Sequence, residues 1–447
     1  MSRSLPDAFL KRMRELLGER FPLYLDAMDQ EPVKALYAQA DRLDPPLLQQ
    51  RPELKLSPIP FVENGFYCGA EKPGNHPLHA AGAFYIQDPS AMLPVAASPV
   101  GPGMRCLDLC ASPGGKSAQI RSRIGEKGFL LSNEIMPSRC KVLAGNLERI
   151  GAVRTVVSNA DARRIASWYP SYFDFVLVDA PCSGEGMFRK YPESVSEWNE
   201  KLPAYCAERQ KQLLTEAVKT LAPEGYLLYS TCTFSLEENE EVVRFLLEND
   251  PSLTLASFPD WVDAVTDPGV GYPECRRFYP FKAPGEGQFM ALFRKADGGK
   301  RSEVPAFPDA RAWIGRQEMD AAVSFLEKTL DSYGELPLCR YGDRIVAADE
   351  PIPSGNIYAA GVAVGETARN RMIPHHALFM AYGDRAFRKW ELDIGDPALE
   401  AYLSGRELPC PLGDGWGVVT TLNCPVGGIK VVDHTAKNHY PKGLRRP

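Results

Sequence analysis

At 447 residues the chain is too long for one ordinary core, and length alone implies roughly two to four domains. Its 44% hydrophobic and 24% charged residues exclude a disordered or fibrous chain. A net charge of −6 gives no support to a general nucleic-acid binder, although binding needs only a local basic surface. The terminal HTAKNHYPKGLRRP offers such a surface, with four Lys/Arg and no carboxylate side chain.

In chain order, MSRSLPDAFLKRMRELLGER has no sustained apolar stretch, and no later run approaches the roughly 20 residues of a membrane span. A cytoplasmic location without a membrane partner is therefore expected. Residues 1 to 45 read as helical, with Phe9, Met13, Leu16 and Leu17 at helical spacing. Residues 46 to 100, rich in Pro and Gly, read as a connecting and covering region. From Arg105 short apolar runs alternate with longer amphipathic segments: RCLDLC (105–110), GFLLSNE (128–134), RTVVSNA (154–160), FDFVLVDA (173–180) and GYLLYSTC (225–232). Such runs suit strands buried on both faces of a parallel sheet, and the alternation predicts βαβ units in a doubly wound fold. FMALFRK (289–295) reads as a closing edge strand and 295–309 as a linker. A helix is predicted at 397–403, and strands at 415–422 and 427–433.

Ligands of doubly wound folds sit at the carboxyl ends of the strands. The five runs end at or beside Cys110, Glu134, Asp161, Asp179 and Cys232. The eleven cysteines include no C-x-x-C pair, so they read as free thiols in a reducing compartment and no metal is expected. No histidine lies between residues 80 and 374, which excludes a local imidazole base there.

LDLCASPGGKS (107–117) follows a strand and opens a helix. Gly114 and Gly115 allow close backbone approach, and the helix start offers free N–H groups. The P-loop pattern is absent. Glu134 fits an acidic hook for ribose hydroxyls, which favours a ligand without phosphate there. S-adenosylmethionine fits better than NADP or ATP. DAPC (179–182) places a thiol where amino-group methyltransferases place an aromatic ring, and YSTC (229–232) presents a second. Thiolate addition to C6 of a cytosine would activate C5 for methylation, with Asp179 hydrogen-bonded near N3 and N4 of the ring. Placement alone leaves open which thiol attacks, and DNA C5 methyltransferases use a Pro-Cys nucleophile. A non-catalytic ribosome-binding factor and a redox enzyme are the further alternatives.

GAFYIQDPSAM (82–92), LDLCASPGGKS, VLVDAPCSGEGMFRK (176–190), YSTCTFSLEENE (229–240) and GEGQFMALFRK (285–295) together resemble the Sun-type RNA cytosine-C5 methyltransferase family, in its bacterial RsmF-like branch. GGIKVVDHTAKNHYPKGLR is similar to the tail of that branch. The resemblance implies an α/β architecture: an N-terminal α+β region (1–98) contacting RNA and the catalytic domain, then a Rossmann-like methyltransferase domain (99–296). A linker and intermediate domain (297–385) and a PUA-like RNA-binding domain (386–447) would follow. It implies S-adenosyl-L-methionine held by Cys110, Ala111, Ser112, Pro113, Gly114, Gly115, Lys116, Glu134, Asp161 and Asp179. Cys232 would be the nucleophile, and Cys182 would assist product release. The expected partner is ribosomal RNA or the small ribosomal subunit, with the chain taken as a monomer. Two departures stand out, Ser112 for a common Ala and Pro280-Phe281 for a Pro-His step. RRFYPFK (276–282) interleaves basic and aromatic residues and reads either as an RNA contact or as an ordinary packed loop.

Overall fold

The five apolar runs become the middle of one large sheet. The structure, a computed structural model, describes residues 5–303, 305–333, 336–368 and 371–446. Residues 1–4, Val304 and Pro447, which belong to segments read above, lie outside it. The runs form β1 (Arg105–Asp108), β2 (Phe129–Asn133), β3 (Thr155–Ser158), β4 (Phe173–Asp179) and β5 (Leu221–Thr231). They pair in parallel in the order β5-β4-β1-β2-β3. Leu107, Leu131, Val156 and Val176 fill one face, while Cys106, Leu130, Phe175 and Leu177 fill the other. Burial on both faces is why these strands read as unbroken apolar runs. The order reverses between β1 and β4, which opens a crevice at their carboxyl ends.

The sheet continues antiparallel beyond β5. β6 (Leu253–Ala256), β7 (Asp267–Pro268), β8 (Arg276–Phe278) and β9 (Gln288–Lys295) complete that side. β9, expected to close the sheet as an edge, is an interior strand: it pairs with β5 on one side and with β6 and β8 on the other. The edges on that side are β6 and the two-residue β7, which is too short to leave a pattern in the sequence.

The opposite edge is closed from far along the chain. β10 (Ile357–Ala360), inside the segment read as linker and intermediate domain, pairs antiparallel with β3. The expected linker is itself packed down: Arg301 pairs with Asp174 at 2.6 Å, and the Ala306 N–H donates to the Trp168 carbonyl. Four further strands between Leu338 and Pro374 form a separate antiparallel sheet.

The α+β N-terminal region that the resemblance implied is present, but the reading of its residue pattern needs correction. The helices Asp7–Leu17 and Phe21–Met28 are present, but Ala35–Ala38 is a strand. It joins Leu56–Pro58, Gly65–Cys68 and Phe84–Ile86 in a four-stranded antiparallel sheet within the supposed connecting region. Strands of three or four residues, separated by Pro and Gly, are too short to show period-2 alternation. Ala35 and Tyr37 share a cluster with Met92, Ile120 and Ile124 of the helices that cover one face of the central sheet, whereas Leu36 and Ala38 share one with the C-terminal unit. That unit is a five-stranded sheet containing Gly415–Thr421 and Cys424–Val432, with the helix Pro397–Leu403, as expected.

Candidate active site

Residues that lie up to 122 positions apart in sequence meet at the carboxyl ends of β1 to β5. Cys110, Glu134, Asp161, Asp179, Cys182 and Cys232 all line one cavity of about 420 Å³. That volume lies within the range of small-ligand sites. Ser112 also lines it; Ala111, Pro113, Gly114, Gly115 and Lys116 do not.

The glycine turn has a packing role that the sequence did not suggest. Gly114 takes the left-handed φ of 115° and precedes the helix α1 (Gly115–Ile124). A Cβ on Gly115 would stand 3.0 Å from the Gln87 side chain and 3.2 Å from the Tyr85 ring. The N-terminal region therefore fills the space beside this glycine, and Tyr85 donates its hydroxyl to the Pro113 carbonyl at 3.1 Å.

Lys116 reaches the site through a partner. Its Nζ donates to Asp179 Oδ2 at 2.7 Å, and Ser230 donates its hydroxyl to Oδ1 at 2.7 Å. The carboxylate is thus aimed by α1 and β5 together. Glu134 is nearly buried; its Oε1 accepts the Met136 N–H at 2.8 Å, and Arg139 stands 3.4 Å from Oε2. Asp161 caps the helix Ala162–Trp168 by accepting the Arg164 N–H at 3.0 Å. Three carboxylates around the cavity suit a cationic, phosphate-free ligand, and a sulfonium nucleoside is one.

The two thiols stand against each other, with Cys182 Sγ and Cys232 Sγ 3.2 Å apart. The hydrogen bond to Cys232, and after it burial, pushes the Cys182 thiol well up from its ordinary value. Cys182 therefore keeps its proton beside the Cys232 sulfur. Burial also pushes Cys110 far up, so it lines the cavity as a neutral thiol.

RRFYPFK resolves to packing. Arg277 pairs with the buried Glu240, Arg276 with Asp263 and Lys282 with Asp267. Tyr279 stacks between Phe234 and Phe281. Sequence reasoning passed over Glu185, Ser183 and Glu238, which lie buried beneath the two thiols. All three stand inside quoted strings, but a carboxylate carries no signal until its partner, some fifty residues away, is known.

Family models match along most of the chain. One described as 16S rRNA methyltransferase RsmB/F matches residues 99–294. The N-terminal domain of 16S rRNA methyltransferase RsmF matches 5–89, and the methyltransferase RsmF PUA domain matches 389–446. "Ribosomal RNA small subunit methyltransferase F" of Escherichia coli O17:K52:H18 is 35% identical over 99% of this chain and 96% of its own length.

The chain belongs to the RsmB/F methyltransferase family.

Its counterpart in Erwinia tasmaniensis is 29% identical across 99% of this chain and 97% of that protein. Among solved structures, NSun6 from Pyrococcus horikoshii, solved with SFG, aligns with a TM-score of 0.59 at 20% identity. It covers 67% of this chain and 100% of that one. A methyltransferase homolog protein from the same organism aligns with a TM-score of 0.54 at 24% identity, over 65% of this chain and all of the other. Those two likenesses concern fold. As a member of the RsmB/F family the chain is an S-adenosylmethionine-dependent methyltransferase with a Rossmann-like domain, an N-terminal domain and a C-terminal PUA domain, as the sequence led us to expect. Among the described residues no helix is long and apolar enough to cross a membrane.

Proposed function

We propose that the chain methylates carbon 5 of a cytosine in small-subunit ribosomal RNA, with Cys232 as the covalent nucleophile. The observation that carries this reading is the 3.2 Å approach of two thiols on the wall of the cavity that Glu134, Asp161 and Asp179 share. Cys110, Ser112, Glu134, Asp161 and Asp179 hold the cofactor directly. Ala111, Pro113, Gly114 and Gly115 shape the turn, and Lys116 aims Asp179.

S-adenosylmethionine, when bound, supplies an electrophilic methyl group. The remaining work falls to the chain, because cytosine C5 is too poor a nucleophile to take that group unaided. Cys232 Sγ, as thiolate, bonds to C6, and the C5=C6 electron pair shifts so that C5 becomes an enamine carbon. By holding the ring at C6, Cys232 would present C5 to the methyl group that the bound cofactor would supply, the methyl–sulfur pair staying with the cofactor sulfur. Loss of the C5 proton to a water molecule, whose oxygen takes it up while the C5–H pair re-forms the double bond, then expels Cys232 as thiolate. Asp179 accepts from the N4 amino group or a protonated N3, since each of its oxygens retains a lone pair after bonding Lys116 or Ser230. The Cys182 thiol steadies the departing thiolate through its hydrogen bond. The target base enters unpaired or rotated from its stack, in naked RNA or in the assembled subunit. The protein acts in the cytoplasm as a monomer, and its PUA domain holds neighbouring RNA.

Two variants test the roles. Cys232→Ala should abolish both methyl transfer and any SDS-stable protein–RNA complex. Cys182→Ala should lose turnover yet accumulate that complex, because expulsion fails. The reversed pattern would make the Pro-Cys thiol the nucleophile. Bisulfite sequencing of small-subunit ribosomal RNA from a deletion strain and its parent would locate the cytosine.

A further inference from the structure

The two cysteine-bearing loops are tied to each other crosswise. Glu238, on the loop after β5, reaches under the loop after β4, where its carboxylate accepts the Ser183 N–H at 2.9 Å and the Ser183 hydroxyl. It also accepts from Gln210 Nε2 at 2.9 Å. The same Gln210 amide donates to the Pro181 carbonyl at 3.0 Å. Both neighbours of Cys182 are therefore fixed through one carboxylate. Glu185, on the loop after β4, does the converse. It accepts the Thr233 hydroxyl at 3.0 Å and the Phe234 N–H at 3.2 Å, while the Trp198 indole N–H holds its other oxygen at 3.1 Å. The hydroxyls of Ser183 and Thr233 meet at 2.9 Å between the two acids.

Both carboxyls are almost wholly buried, Glu185 at 2% exposure and Glu238 at 0%. Burial pushes both upward, Glu238 to about 7. A buried acid is a costly way to join two loops, since apolar residues of similar volume usually stabilise as well or better. Its advantage is directional: a carboxylate with several donors fixes the backbone on which a thiol sits.

We propose that Glu238 and Glu185 are positioning residues that set the approach of the two sulfurs, Glu238 holding Cys182 for release of the methylated base and Glu185 holding Cys232 for attack. The division follows from what each acid touches, and it rests on the roles given to the thiols under the proposed function. Loss of Glu238 should then reproduce the loss of the Cys182 thiol, although Glu238 has no contact with the reacting ring.

Full-length Glu238→Ala, Glu238→Gln, Ser183→Ala, Glu185→Ala and Cys182→Ala proteins are incubated with S-adenosylmethionine and unmodified small-subunit ribosomal RNA. The RNA is supplied both as transcript and as small subunits from a deletion strain, and the products are resolved on denaturing gels. Glu238→Ala is expected to accumulate the SDS-stable complex as Cys182→Ala does, with release slowed on the order of 100-fold, the usual effect of misplacing a reacting group by about an ångström. Glu238→Gln keeps an acceptor for Ser183 and should restore turnover. Glu185→Ala should form no complex, and S-adenosylmethionine affinity by calorimetry should stay unchanged throughout.

If Glu238→Ala binds cofactor but accumulates no complex while Cys182→Ala does, the clamp inference fails and the thiol reading stands. If Cys182→Ala itself gives none, the thiol reading fails. Accumulation in Glu185→Ala would overturn the division between the acids. Should Glu238→Ala not bind cofactor, Ser183→Ala, which removes one hydroxyl and leaves the backbone, decides by the same criterion.

Discussion

Asp108 closes β1 with a carboxyl that water barely reaches, at 1% exposure. Its Oδ2 accepts the Ser117 hydroxyl at 2.6 Å, and Oδ1 has no hydrogen-bond partner among the described residues. Burial pushes it from an ordinary value of 3.8 up to about 7; nearby Asp179 adds to the shift and Lys116 opposes it. The folded protein therefore holds a proton between about pH 4 and 7 that the unfolded chain has released. Stability from this site is fully present below about pH 4 and is lost as pH rises through 7. Asp108→Asn, which does not titrate, should gain stability relative to the parent as pH rises from 5.5 to 8. Denaturant midpoints of the two proteins at those pH values check this, and parallel midpoints would remove the argument.

At the scale of elements, the N-terminal helix Asp7–Leu17 is a brace for the loops that carry Cys182 and Cys232. Its buried stripe of Phe9, Met13 and Leu17 packs with Phe188, Trp198, Phe234 and Tyr279. Phe9 meets the Phe188 ring edge-on at 4.9 Å, and Tyr24 meets Phe234 at 5.7 Å. Those two aromatics sit on the loops that carry Cys182 and Cys232. Phe9→Ala should cost about 3–5 kcal/mol of packing if the brace unfolds with the core, as large-to-small substitutions of aromatics do. Hydrogen exchange should quicken at 183–190 and 233–236 while β1 to β3 keep their protection, and uniform protection would show that the loops stand without the helix. The stripe itself was legible because helical spacing is local. LDLCASPGGKS was legible for the same reason, since strand, turn and helix follow one another. The N-terminal sheet was implied by the resemblance alone and left no local signal: the strand Ala35–Ala38 buries both of its faces against different units, which removes the alternation that announces a strand. The clamp of Glu185 and Glu238 was hidden by separation in sequence, and β10 was hidden by its distance from β3.

For the whole molecule, the question is whether the catalytic unit stands by itself. Two features indicate that it does not. β10 covers the edge of β3, where Ile357 opposes Ser158 and Ala360 opposes Val156, and Asn356 and Asn159 exchange hydrogen bonds beside them. The outer face of the N-terminal sheet, through Leu36, Ala38 and Phe84, packs on Tyr402, Val419 and Cys424 of the C-terminal unit. Arg42 lies in that seam and donates to the carbonyls of Ala81, Met380 and Pro425. A protein ending at residue 296 keeps every proposed catalytic residue yet bares both a sheet edge and an apolar face. Open edges template pairing between chains, and large bare apolar patches drive association. The fragment 1–296 should therefore elute as aggregate or remain insoluble where the full chain is soluble, as size-exclusion chromatography with light scattering would report. A soluble, monomeric fragment with the melting temperature of the full chain would mean that the last third of the protein serves RNA alone. Aggregation would mean instead that the PUA-bearing third is bound into the catalytic unit, so that RNA held there is placed at a fixed distance from Cys232.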